Sequence, residues 1–86
     1  MVGRIVCSRS GRDKGYFMAV IRADSDFLYV CDGKERPLER PKRKNIKHVA
    51  LTNTYLDENS YSSNKSLRRA LAVYRDSASK GRNRDV

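Results

Sequence analysis

Two short β-prone runs around a glycine-bearing loop restrict this chain more than any other feature. Ile5 to Cys7 and Tyr16 to Ile21 are apolar or small, and between them Ser8 to Gly15 is polar, with glycines at 11 and 15. Such runs fold back on each other as antiparallel strands, so a first strand is expected over Arg4 to Ser8 and a second over Tyr16 to Arg22. Gly11 and Gly15 suit positions of positive φ or close backbone approach, and Asp13 between them is a good turn residue. The second run is apolar almost throughout, as a strand covered on both faces can be. Because the loop carries Arg9, Arg12 and Lys14, the hairpin holds out a cationic tip.

The pattern continues in short strands. Ala23 to Asp26 reads as a turn, and Phe27 to Cys31, rich in aromatic and β-branched residues, as a third strand closed by the hairpin signal Asp32-Gly33. From Lys34 to Lys47 there are seven Lys or Arg and two Glu. Pro37 and Pro41 exclude helix and confine any strand there to an edge, so this segment is expected as an irregular edge or loop with at most a short strand near Arg36 to Glu39. Ile46, Val49 and Leu51 return the chain to the core as a last strand over Ile46 to Leu51. Short strands at this spacing match a small five-stranded barrel, with Tyr16, Phe17, Phe27 and Tyr29 most simply placed in its core.

After Thr52 the residues turn polar, which marks 53–63 as a linker. Leu67, Ala70, Leu71 and Tyr74 then fall at i, i+3, i+4 and i+7, one face of a helix over 64–76, capped by Ser63 or Asn64. A helix of this length is marginal alone in water, so its apolar face is expected to dock on the barrel or await a partner. Residues 77–86 hold Lys80, Arg82 and Arg84 and read as a disordered basic tail. The fold class is therefore mainly β: a barrel over 1–52, a linker, a C-terminal helix and a tail.

At 86 residues the chain supports one small core, since a domain of this size buries only about 60% of its unfolded surface. Its net charge of +9 makes a field that attracts polyanions, nucleic acid above all. No apolar run is long enough for a membrane span or a signal peptide, so a cytoplasmic protein with no membrane partner is expected. Cys7 and Cys31 lie on different strands and only His48 could join them, which leaves a tetrahedral zinc site short of a ligand. Reduced cysteines packed in the core are expected instead, with no metal and no cofactor.

Gly3, Ile5, Val6, Gly11, Lys14, Gly15 and Met18 to Ile21 resemble the KOW motif, which in several ribosomal proteins and NusG-type transcription factors opens an SH3-like barrel. Asp32-Gly33 and the run Arg40 to His48 extend the likeness, to about Leu51, toward small bacterial KOW proteins that are similar to the fourteen-e type of large-subunit ribosomal protein. That resemblance implies binding to structured RNA, ribosomal RNA or a ribosomal particle, through phosphates and shape. It implies a contact surface made by the loop Ser8 to Gly15 and the segment Pro41 to His48. From Asn53 onward the chain departs from the ribosomal proteins, so a transient ribosome-associated role fits as well as a permanent subunit.

The candidate RNA-binding residues are Arg9, Arg12, Lys14, Gly15 and Tyr16 on the first hairpin, Arg40, Lys42, Arg43, Lys44, Lys47 and His48 on the basic segment, and Arg68 and Arg69 on the helix. Each has a plainer role: a solvated turn for the loop cations, protection of an edge strand for the lysine run, a packed side chain for His48, and an ordinary solvated face for the helix arginines. Five cations between Arg40 and Lys47 exceed what edge protection needs. No pattern fixes a nucleophile, an acid pair or a base, so no catalysis and no small-molecule substrate are expected, and the free protein is expected to be a monomer. The alternative from another class is an adaptor whose barrel binds a protein of the transcription or translation machinery.

Overall fold

β1 (Arg4–Ser8) and β2 (Phe17–Ala23) form the expected antiparallel hairpin, with Ile5 opposite Ala19 and Cys7 opposite Phe17. β3 (Phe27–Cys31) pairs with β2, and a bulge between Val20 and Arg22 sets both Ile21 and Arg22 on one face. β4 (Lys42–Asn45) and β5 (Val49–Tyr55) complete a five-stranded antiparallel sheet in the order β4-β3-β2-β1-β5. A C-terminal helix, α1 (Asn64–Arg84), follows. The computed structural model describes residues 1–84, with side chains through Ser77.

The sheet does not close. β4 and β5 remain its two edges, because a 3-10 turn over Ile46–His48 takes the chain from one to the other. The hydrogen bonds of that turn go elsewhere: Ile46 N donates to Asp26 O at 3.0 Å and His48 O accepts from Arg9 N at 2.8 Å. The expected closed barrel is thus an open, curled sheet. The fourth strand lies after Pro41, not near Arg36 to Glu39. The last strand begins only at Val49 and continues to Tyr55, so the sheet takes in the start of the expected linker; a second 3-10 turn, Glu58–Tyr61, fills half of the rest.

Alternation along the strands divides the apolar residues between two clusters. Val6, Met18, Val20, Leu28, Val30 and Val49 fill the inside of the curl, with Ile46 packed beside them. Ile5, Ala19 and Cys31 face outward and are covered by Leu67 and Leu71 of α1, with Phe17, Leu56, Tyr61 and Tyr74 at the margin. β2 is therefore covered on both faces at its centre, and the helix face read from the sequence is the face that docks. Full burial of a leucine contributes about 1.5–3 kcal/mol, so Leu67 and Leu71 supply much of the attachment. Of the four aromatics assigned to the core, none lies inside the curl. Leu28 and Val30 occupy the inward positions of β3, which puts Phe27 and Tyr29 on the outer face.

Ser63 is the helix cap: its hydroxyl accepts from Ser66 N at 3.1 Å and its carbonyl from Leu67 N at 2.9 Å. Asn64 instead ties the helix start to the preceding loop, accepting from Leu38 N at 2.7 Å and donating to Glu39 Oε1 at 2.8 Å. The backbone stays helical to Arg84, past the end expected at Asp76. The side chains of the expected basic tail beyond Ser77, and all of residues 85 and 86, lie outside the described residues. Cys31 is buried, and burial, reinforced by Asp32 and Glu39, pushes its thiol up to about 11. Cys7 is only partly buried.

Candidate nucleic-acid interface

Asp13 joins the two basic segments. Its Oδ1 accepts from Ser8 Oγ at 2.7 Å and from Lys44 Nζ at 3.0 Å, and its Oδ2 from Lys42 Nζ at 3.0 Å. Lys44 Nζ also donates to Ser10 O at 2.8 Å. Successive residues of a strand point to opposite faces, so Lys42 and Lys44 both reach under the loop while Arg43 points outward. Loop and β4 are thereby held at one end of the sheet, on the same side. Sequence reasoning saw Asp13 only as a turn former, because partners about thirty positions away leave no local pattern.

The latch sets the charge state of Asp13. Burial opposes ionisation, but the Ser8 hydroxyl and the two ammonium groups outweigh it and hold the carboxyl well below the usual aspartate range. A group whose folded pKa lies below its unfolded one stabilises fully above the unfolded value, about 3.9 for aspartate, and loses that contribution as pH falls through the folded value. Stability followed by urea titration is expected to drop below about pH 4, and less steeply in Asp13→Asn. Parallel slopes for the two proteins would mean that the latch is not linked to protonation.

Two of the expected contact residues are thus occupied. Lys44 is only 6% exposed, its ammonium spent on Asp13 and Ser10, and Lys42 is half-buried on the same carboxylate. Neither ammonium stands free at the surface, whereas Arg9, Arg12, Lys14 and Lys47 are all exposed. Arg9 and His48 are neighbours through the backbone hydrogen bond between them, and His48 is itself exposed. Gly15 and Tyr16 close the loop at its base. Gly15 N donates to Ser8 O at 2.8 Å, Tyr16 N to Asp13 O at 2.9 Å, and Tyr16 O accepts from Ser8 N at 3.0 Å.

The remaining expected cations diverge. Arg43 stacks 4.6 Å from the centre of the Phe27 ring on the outer face, and Arg22, not among the expected contacts, lies 5.2 Å from that of Tyr29. Cation–π contact keeps such guanidinium groups ordered at the surface. Arg40 stands in the turn closed by its N–H to Pro37 O at 2.9 Å, next to the Glu39–Asn64 contact. Arg68 borders a cleft beside Tyr16, whereas Arg69 borders a different groove, with Leu56 and Asp57. Arg75, which like Arg68 lies off the apolar stripe of the helix, also lines a cleft at Tyr16, as do Lys34 and Arg36, which the sequence reading did not single out. Lys34 and Arg36 belong to the basic segment, but nothing local singled them out from its other cations.

Among the described residues, no group of three or more His, Cys, Asp or Glu is arranged to hold a metal ion, and no helix is long and apolar enough to cross a membrane. Compared with known proteins, the chain matches no family model and no curated protein at a significant level.

Proposed function

We propose that this protein binds structured RNA, ribosomal RNA above all, through the end of the sheet where the Ser8 to Gly15 loop meets β4 and the turn after it. A cytoplasmic location is part of the same proposal. One observation carries the reading: the Asp13 latch uses the two lysines beneath the loop and leaves Arg9, Arg12, Lys14 and Lys47 exposed at the same end. Exposed cations on a fixed backbone suit phosphates spaced along a folded RNA, which position a protein without reading sequence. The resemblance of the first fifty or so residues to KOW proteins supports the same ligand, and the net charge of +9 supplies long-range attraction.

The test is a salt titration of binding to a ribosomal RNA fragment. Log K is expected to fall linearly with log salt, with a slope close to one per phosphate neutralised. Reversing Arg9, Arg12, Lys14 and Lys47 to glutamate is expected to flatten that slope by several units and abolish binding at moderate salt. Lys44 is left intact so that the latch survives. Binding that resists these changes would sink the reading. It would favour a protein-binding adaptor, for which the exposed Leu51 and Tyr55 on the edge strand β5 offer an apolar contact.

A further inference from the structure

Two clefts meet at Tyr16. One, of about 590 Å³, lies between α1 and the end of the sheet and is bordered by Lys34, Arg68 and Arg75; the other, of about 360 Å³, is bordered by Arg12 and Arg36. Tyr16, Asp32 and Glu35 line both. The centre of the combined site is therefore an aromatic ring with two carboxylates, and cations stand on either side. Tyr16 is 54% exposed although its backbone is pinned at both N and O, and the space beside Gly15, where a side chain would stand, is open. A large aromatic left this open on a rigid base is a stacking platform.

We propose that this site takes an unpaired nucleotide. The base stacks on Tyr16 with an amino-bearing edge toward Glu35 or Asp32, and the flanking phosphates lie toward Arg68 and Arg75 on one side and Arg12 and Arg36 on the other. The inference rests on the RNA-binding reading and adds to it a single-stranded element beside the phosphate-bound one. Both cleft volumes fall within the range of about 300–1,000 Å³ typical of small-ligand sites. A carboxylate accepts from the amino group of cytosine or adenine, while uracil presents it with an imide N–H flanked by two carbonyl oxygens. Asp32 Oδ1 already accepts from Lys34 N and Arg36 N, both at 2.9 Å, which fixes that carboxylate and leaves the more exposed Glu35 as the main acceptor.

Short labelled oligo(C), oligo(A) and oligo(U), and an RNA duplex as reference, are titrated with the full chain by fluorescence anisotropy. Oligo(C) and oligo(A) are expected to bind more tightly than oligo(U). Tyr16→Ala is expected to weaken oligo(C) roughly ten- to a hundredfold relative to the duplex, the usual loss of one base–aromatic stack. Tyr16→Phe keeps the ring and should retain most of the affinity, while Glu35→Gln should narrow the preference over oligo(U). An unchanged oligo(C)-to-duplex ratio in Tyr16→Ala, or equal losses in the Phe and Ala variants, would overturn the stacking site. Equal affinity for oligo(C) and oligo(U) would overturn the base-edge contact. If neither single strands nor duplex bind, the underlying reading fails; duplex binding together with oligo(C) binding that ignores Tyr16 defeats this inference alone.

Discussion

Asp13→Ala is expected to destabilise the protein by about 3 kcal/mol, the lower end of what removing one partner of a buried ion pair costs. The carboxylate is 14% exposed and satisfies three donors at once. Without it Lys44, 6% exposed, keeps only Ser10 O for its ammonium, and a charge left in that position must either lose its proton or drag water beneath the loop. A domain of this size has about 5–15 kcal/mol in total, so the loss is a large fraction. Urea denaturation measures it as a lower midpoint at unchanged m-value. Adding Lys44→Met removes the stranded charge and should recover much of the loss, giving a coupling energy of about 1–3 kcal/mol in the double-mutant cycle. A cost below about 1 kcal/mol, with no coupling, is how a solvent-screened surface pair behaves, and would mean that the loop is not held to β4 by this contact.

The same latch explains where sequence reading stopped. β1 and β3 are legible to the residue, since Ile5 to Cys7 and Phe27 to Cys31 are β-prone runs with turn signals beside them, and the docking face of α1 follows from the spacing of Leu67, Leu71 and Tyr74. β4 has no such signature. Lys42, Arg43, Lys44 and Asn45 contain no apolar residue, and composition reads them as a solvated run. They form a strand because Leu28 and Val30 lack a neighbour on that side and because Asp13, far away in sequence, compensates two of the three cations. Tertiary context overrides propensity here. It also redistributes the site: the run of five cations splits into two that hold the loop, one stacked on Phe27, one in the turn after Pro37 and one exposed at Lys47. The cleft beside Tyr16 was legible only as a charged loop, since Arg68 and Arg75 reach it through the docking of α1.

That docking depends on Gly33, and Gly33→Ala is expected to cost about 2–4 kcal/mol. Gly33 has φ +81, which costs an alanine about 1–2 kcal/mol. Its added methyl would also press on the Asn64 carbonyl oxygen and lie 3.1 Å from Arg68 N. Both are backbone atoms at the start of α1, so no side chain can swing aside. The turn cannot retreat either, because Asp32 N and Gly33 N both donate to Arg36 O and the Asp32 carboxylate holds the next N–H groups. The helix must therefore give way, drawing Leu67 and Leu71 out of contact with Ile5, Ala19 and Cys31 and carrying Arg68 away from Tyr16. Gly15→Ala is the control: φ is +89 but nothing lies within 4 Å of the new methyl, so only the backbone cost of about 1–2 kcal/mol applies. Denaturation should separate the two variants, and amide exchange should show the excess in Gly33→Ala as lost protection along α1, with the Asp13 latch unaffected. Equal destabilisation of the two would mean that the helix slides without penalty, so that its seat on the sheet is not what fixes the cations beside Tyr16.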